Sequence, residues 1–109
     1  MPEPSTKPQP SGLDMAPHHW VIVQQILAQH LPGLPVWAFG SRTKGTAKPH
    51  SDLDLAVITT EPLPLRQAAW LAEAFSESDL PWRVDVVDWA CTSEAFRRLI
   101  QAHHVVVQG

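Results

Sequence analysis

Apolar residues return at helical spacing in three parts of this chain and collect into short runs between them. That alternation predicts a layered α/β (α+β) domain. In the first helix Trp20, Val23, Ile26, Leu27 and Leu31 form one stripe, and Gln24, Gln25 and Gln29 are assigned to its wet side. Pro17 suits its first turn, Asp14 is the expected cap, and Pro32-Gly33 ends it. Val36-Trp37-Ala38-Phe39 then reads as a short buried strand that runs into Gly40. A second strand spans Asp52 to Thr59. A second long helix follows from Leu65, with Ala68, Ala69, Ala72 and Phe75 on its apolar side.

Arg83 to Asp88 forms the third strand. Thr92 or Ser93 caps a last helix that turns Ala95, Phe96, Leu99 and Ile100 inward and Arg97, Arg98 and Gln101 outward. Val105-Val106-Val107 is either a short edge strand or an apolar patch for a partner. Residues 1–15, which carry Pro2, Pro4, Pro8 and Pro10, offer little to bury against their ordering entropy. They are expected to form a flexible tail, with residues 16–109 as the domain.

A chain of 109 residues makes one domain and leaves little material to enclose a second substrate. Eight Lys plus Arg against eleven Asp plus Glu give a net charge of −3, and the cations are scattered. Extended nucleic acid, which selects basic stripes, is therefore not expected as a partner. The single cysteine, Cys91, fits a reducing cytoplasm. No apolar run approaches membrane-spanning length, and the start shows no signal-peptide pattern.

The chemistry concentrates between Gly40 and Asp54. A Gly-Ser turn follows one apolar run directly; ten residues later, Asp52 and Asp54 stand one residue apart in the next. In a strand these two aspartates share a face, and Leu53, Leu55 and Val57 line the opposite, buried one. Paired carboxylates repel unless a cation sits between them, and a hard divalent ion such as Mg²⁺ arrives with substrate phosphates. Gly40 and Ser41 supply an unobstructed backbone and a hydroxyl for those phosphates, and Arg42 is the cation best placed to meet them, with Lys44 and Lys48 behind it.

Two look-alikes fail. Thr46 and Ala47 stand where a P-loop needs Lys and then Ser or Thr, and Leu55-Ala56-Val57 offers no EF-hand ligands. His18, His19 and His30 lack zinc-type spacing and read as surface or capping residues. Asp85, flanked by Val84 and Val86, is out of place unless paired or metal-bound, and it completes a carboxylate trio if its strand neighbours the second. Asp88 is the rival. Its place at the strand end makes its charge cheap, which favours Asp85.

With Gly40-Ser41, then Asp52-x-Asp54, then Asp85 on a later strand, the chain resembles the minimal nucleotidyltransferases of the DNA polymerase β superfamily from about residue 16 onward. The resemblance implies a small mixed β-sheet with helices packed on one face and the site on the other. It further implies that Asp52, Asp54 and Asp85 are catalytic and bind two Mg²⁺ ions, while Gly40 and Ser41 hold the triphosphate of ATP. Small members of the group act as antitoxins of the MNT/HEPN type, moving AMP from ATP to a tyrosine of a HEPN toxin with which they form a hetero-oligomer. Lys44 and Lys48 stand where arginine is frequent in relatives. The alternatives are a non-catalytic antitoxin that only covers its partner, for which Val105 to Val107 and the five tryptophans are the surface, and transfer to a small molecule or RNA end.

Overall fold

The computed structural model describes residues 7–109. Its frame is a four-stranded sheet of β1 (Val36–Phe39), β2 (Leu53–Val57), β3 (Val84–Asp88) and β4 (Val105–Gln108), in the order β3-β2-β1-β4. The sheet is mixed: β1 is antiparallel to both β2 and β4, whereas β2 and β3 run parallel. A parallel pair needs a crossover, and α3 (Leu65–Ser76) provides it.

Leu53, Leu55 and Val57 of β2 and Val36 and Ala38 of β1 are fully buried, as strand alternation requires. They meet Trp20, Val23 and Leu27 of α1 (Pro17–His30) and Leu71 and Phe75 of α3. Each of the Val, Leu and Phe side chains among them contributes about 1.5–3 kcal/mol when taken out of water. The exposed carbonyls at the end of α1 find side-chain donors: Gln67 Nε2 reaches His30 O at 3.0 Å, and Gln108 Nε2 reaches Leu31 O at 2.7 Å. The last strand is thereby tied to the first helix.

Asp14 does not cap α1; the N-cap is Ala16, with no side-chain bond. Gln24, assigned to solvent, is buried at 8% exposure, and its Oε1 has no partner. The stripe of α1 is wider than its apolar residues alone suggested.

The expected tail is shorter than proposed. Residues 1–6 lie outside the described residues. From Lys7 onward the segment packs onto the domain: Leu13 and Met15 enter the core, Lys7 O accepts from Trp20 Nε1 at 2.7 Å, and Gln9 Nε2 bridges Leu13 O and Met15 O. Two apolar residues among many polar ones are a weak pattern, yet they suffice to anchor a short segment.

α4 (Glu94–Ala102) is capped by Ser93, which accepts from Phe96 N. Of the four residues expected to turn inward only Ile100 is buried, and Leu99 is 69% exposed. Phe96 sets its ring edge-on to Phe39 at 5.6 Å. Leu65, expected on the apolar side of α3, is 90% exposed.

Val105 to Val107 form an edge strand in which Val107 is buried and Val105 packs on the core. The tryptophans do not form a surface either, since Trp20 and Trp82 are buried and Trp70 alone is exposed. The adhesive surface expected there is much reduced.

Candidate active site

The bend after β1 is set by glycine. Gly40 has φ +83° and ψ −159°, a conformation open only to a residue without Cβ. Its carbonyl accepts from both the backbone N–H and the Oγ1 of Thr43, at 3.0 and 2.8 Å, which draws residues Ser41–Lys44 into a single helical turn, α2. Gly45, at φ +72°, closes that turn. Thr43 went unnoticed in the sequence because its role is local: it locks the backbone that presents Ser41. His103 supports the same turn from α4, its Nε2 lying 2.7 Å from Thr43 O.

β1 and β2 pair so that Phe39 lies opposite Asp54, and Asp54 lies opposite Asp85 across the parallel pair. Directly opposed residues share a face, so one row of the sheet carries Phe39, Asp54 and Asp85. Asp52 is two residues before Asp54, at the mouth of β2. A Cβ placed on Gly40 would collide with the Asp54 carboxylate, so the glycine bend and that carboxylate lie against each other.

Burial pushes the Asp54 carboxyl above the ordinary carboxylate range, and the nearby charges of Asp85 and then Asp52 push it further the same way. This is uncompensated negative charge on oxygen donors, the kind of site that suits a hard cation. Among the described residues no three His, Cys, Asp or Glu side chains already converge into an ion cage. Arg83 Nη2 pairs with Asp85 Oδ1 at 3.3 Å. Beside the row, a cleft of about 570 Å³ is bounded by Asp52, Asp85, His50, Phe75 and Trp82.

The structure separates Asp85 from Asp88 on grounds different from those the sequence offered. Asp85 is 46% exposed on an edge strand, so it is not a buried acid in need of a partner. Asp88 is the engaged one: its oxygens accept from Thr59 Oγ1, from Leu63 N at 2.6 Å and from Ala90 N at 3.2 Å. Its charge closes a loop and is not free for a ligand.

Arg42, the cation expected to meet the phosphates, is turned toward backbone carbonyls. It is 5% exposed, and its guanidinium is spent on the carbonyls of Ser51, Asp14 and Pro49. Lys44 and Lys48 remain exposed on the loop.

With this geometry in hand, comparison with known proteins is decisive. The family model for the nucleotidyltransferase domain matches residues 22–107. The chain belongs to that family. A probable protein adenylyltransferase, MntA, of Haemophilus influenzae is 57% identical over 96 residues, covering 88% of this chain and 84% of the relative. A crystal structure of a toxin–antitoxin complex with AMP-PNP superposes with a TM-score of 0.69 at 26% identity, over 83% of this chain and 73% of that one. A substituted MntA–HpeT toxin–antitoxin complex gives 0.68 at 26% identity, over 88% and 74%. The mixed sheet expected from the resemblance is the fold these structures share. Among the described residues no helix is long and apolar enough to cross a membrane.

Proposed function

We propose that this nucleotidyltransferase moves AMP from ATP to a hydroxyl of a HEPN-type toxin, a tyrosine by the family resemblance, and thereby neutralises it as an antitoxin. The observation that carries the reading is the row Asp54–Asp85 in register beside the Gly40-Ser41 bend. The 57% identity to a probable protein adenylyltransferase supports protein as the acceptor, and the similar fold of a toxin–antitoxin complex with AMP-PNP supports ATP and a hetero-oligomer.

Asp52, Asp54 and Asp85 would hold two Mg²⁺ ions, which supply charge neutralisation of the phosphates and acidification of the acceptor hydroxyl. Ser41 Oγ and the backbone N–H groups of the Gly40 bend would grip the β- and γ-phosphate oxygens and fix the leaving pyrophosphate. In-line displacement would set the acceptor on the far side of the α-phosphorus from that bend, toward β3. Asp85, half exposed at that edge, would accept the acceptor's proton once Arg83 gives way. The lone Cys91 and the use of ATP fit a cytoplasmic protein.

The test is incubation of the purified protein with α-labelled ATP, Mg²⁺ and the toxin encoded beside it. Label on a toxin tyrosine that is lost in Asp54→Asn is the expected result. An unlabelled toxin, with wild type and Asp54→Asn protecting equally, refutes the transfer reading and leaves neutralisation by binding alone.

A further inference from the structure

The arginine that the sequence offered as a phosphate ligand is turned the other way. Arg42 Nε and Nη2 both donate to Ser51 O, at 3.0 and 2.8 Å; Nη2 also lies 3.4 Å from Pro49 O, and Nη1 donates to Asp14 O at 2.9 Å. The guanidinium lies over the face of Trp82, 4.3 Å from the ring centre. In return Arg42 O accepts from Asp14 N at 2.7 Å. Swinging the side chain onto a phosphate would strip several bonds from a residue that is almost fully buried.

We infer that Arg42 is a positioning residue: it acts as a strut that fixes the backbone entering Asp52 relative to the Gly40-Ser41 bend, and it touches neither nucleotide nor metal. Arg42 follows Ser41 in the chain, and Ser51 precedes Asp52, so the forked grip on one carbonyl ties together the two ends of the ten-residue loop 42–51. That fork sets the orientation of the Ser51–Asp52 peptide and with it the direction of the Asp52 carboxylate. Ser51 is held a second time, its Oγ accepting from Lys48 N at 2.8 Å.

The strut is braced from behind by the N-terminal segment. Asp14, sandwiched in sequence between the buried Leu13 and Met15, gives Arg42 one acceptor and one donor. Residues Gln9 to Met15 thus support the metal-binding carboxylates without approaching them. Lysine cannot replace this arrangement, because a single ammonium lacks the planar fork that spans two carbonyls on different segments.

The inference rests on the nucleotidyl-transfer reading, and its test separates the two. Arg42→Lys and Arg42→Met are compared with wild type for the Mg²⁺ dependence of label transfer and for KM of ATP at saturating Mg²⁺. Both variants are expected to need about 10-fold more Mg²⁺ and to lose about 10-fold or more in kcat, with KM for ATP little changed. A phosphate ligand gives the opposite split: Arg42→Lys close to wild type, and Arg42→Met raised in KM for ATP at unchanged Mg²⁺ dependence. That result overturns the inference.

In the wild-type protein, the Arg42 Nε–H resonance is expected to be protected from exchange and to stay protected when ATP and Mg²⁺ are added. Loss of that protection on nucleotide binding, or coupling to phosphorus, overturns the strut even if a variant fails to fold. Absence of label transfer by wild type would count against the transfer reading alone, since the resonance reports without turnover.

Discussion

The Asp54 carboxylate occupies the space that a side chain on Gly40 would need. Gly40 therefore meets two demands at once: a positive φ, and a missing Cβ where the carboxylate passes. Gly40→Ala is expected to cost about 1–3 kcal/mol in backbone strain alone and to push Asp54 out of its row. Urea denaturation and label transfer check this together; a variant with wild-type activity would show that the bend does not fix Asp54.

Asp54 also gives the metal-free protein an unusual pH dependence. Burial and its two acidic neighbours raise its folded pKa above the unfolded value, so the native state binds more protons between the two. Stability contributed by this group is present at low pH and is lost as pH rises from the ordinary carboxylate pKa through the raised one. Because Asp54 is only partly buried and solvent screens it, the effect is at most about 1 kcal/mol. Asp54→Asn removes the penalty, so without metal the variant should melt higher than wild type at pH 7 and no higher at pH 3, while transfer falls at least about 100-fold. Thermal melts across that range, with EDTA present, decide the sign.

Most of the candidate site was legible because its residues are placed by backbone rules. A glycine-serine pair after an apolar run, and two acids one residue apart within the next, have few other uses, and strand alternation alone turns Asp54 away from Leu53 and Leu55. Pairing was the missing step: nothing in the chain states that β3 lies parallel to β2, and the register Asp54 with Asp85 follows only from the sheet. A cation beside a phosphate bend reads as a ligand, whereas the partners of Arg42 are carbonyls, which leave no trace in a sequence. Leu13 and Met15 were missed for a related reason. Composition marked their segment as uncompetitive for burial, and two anchors with a glutamine clip overcame it.

Gln24 offers a stability test away from the chemistry. Its Oε1 is buried on α1 without a donor, a group that has lost water and gained nothing. Gln24→Leu keeps a side chain of similar reach and removes the orphaned acceptor. Denaturation should show a gain of about 1 kcal/mol with transfer unchanged. A loss of stability would mean that the amide is satisfied in solution.

Asp85 and Asp88 stand on one strand and divide its work, and their variants should show crossed behaviour. Asp88 accepts from Thr59, Leu63 and Ala90, so Asp88→Ala strands donors that its carboxylate satisfied and should cost about 3 kcal/mol. What remains folded at low temperature should still transfer AMP, because none of those bonds reaches the row beside Gly40. Asp85 is half exposed and paired only with an Arg83 that is itself in solvent, so Asp85→Asn should change stability by less than about 0.5 kcal/mol. Its transfer activity should nevertheless fall below detection, since asparagine keeps the shape and loses both the charge for metal and the place for a proton. Denaturation and label transfer on the same two preparations read both axes. Were Asp85→Asn active and Asp88→Ala folded but dead, the third carboxylate would belong to the end of β3, and the register of Asp54 with Asp85 would carry no chemistry.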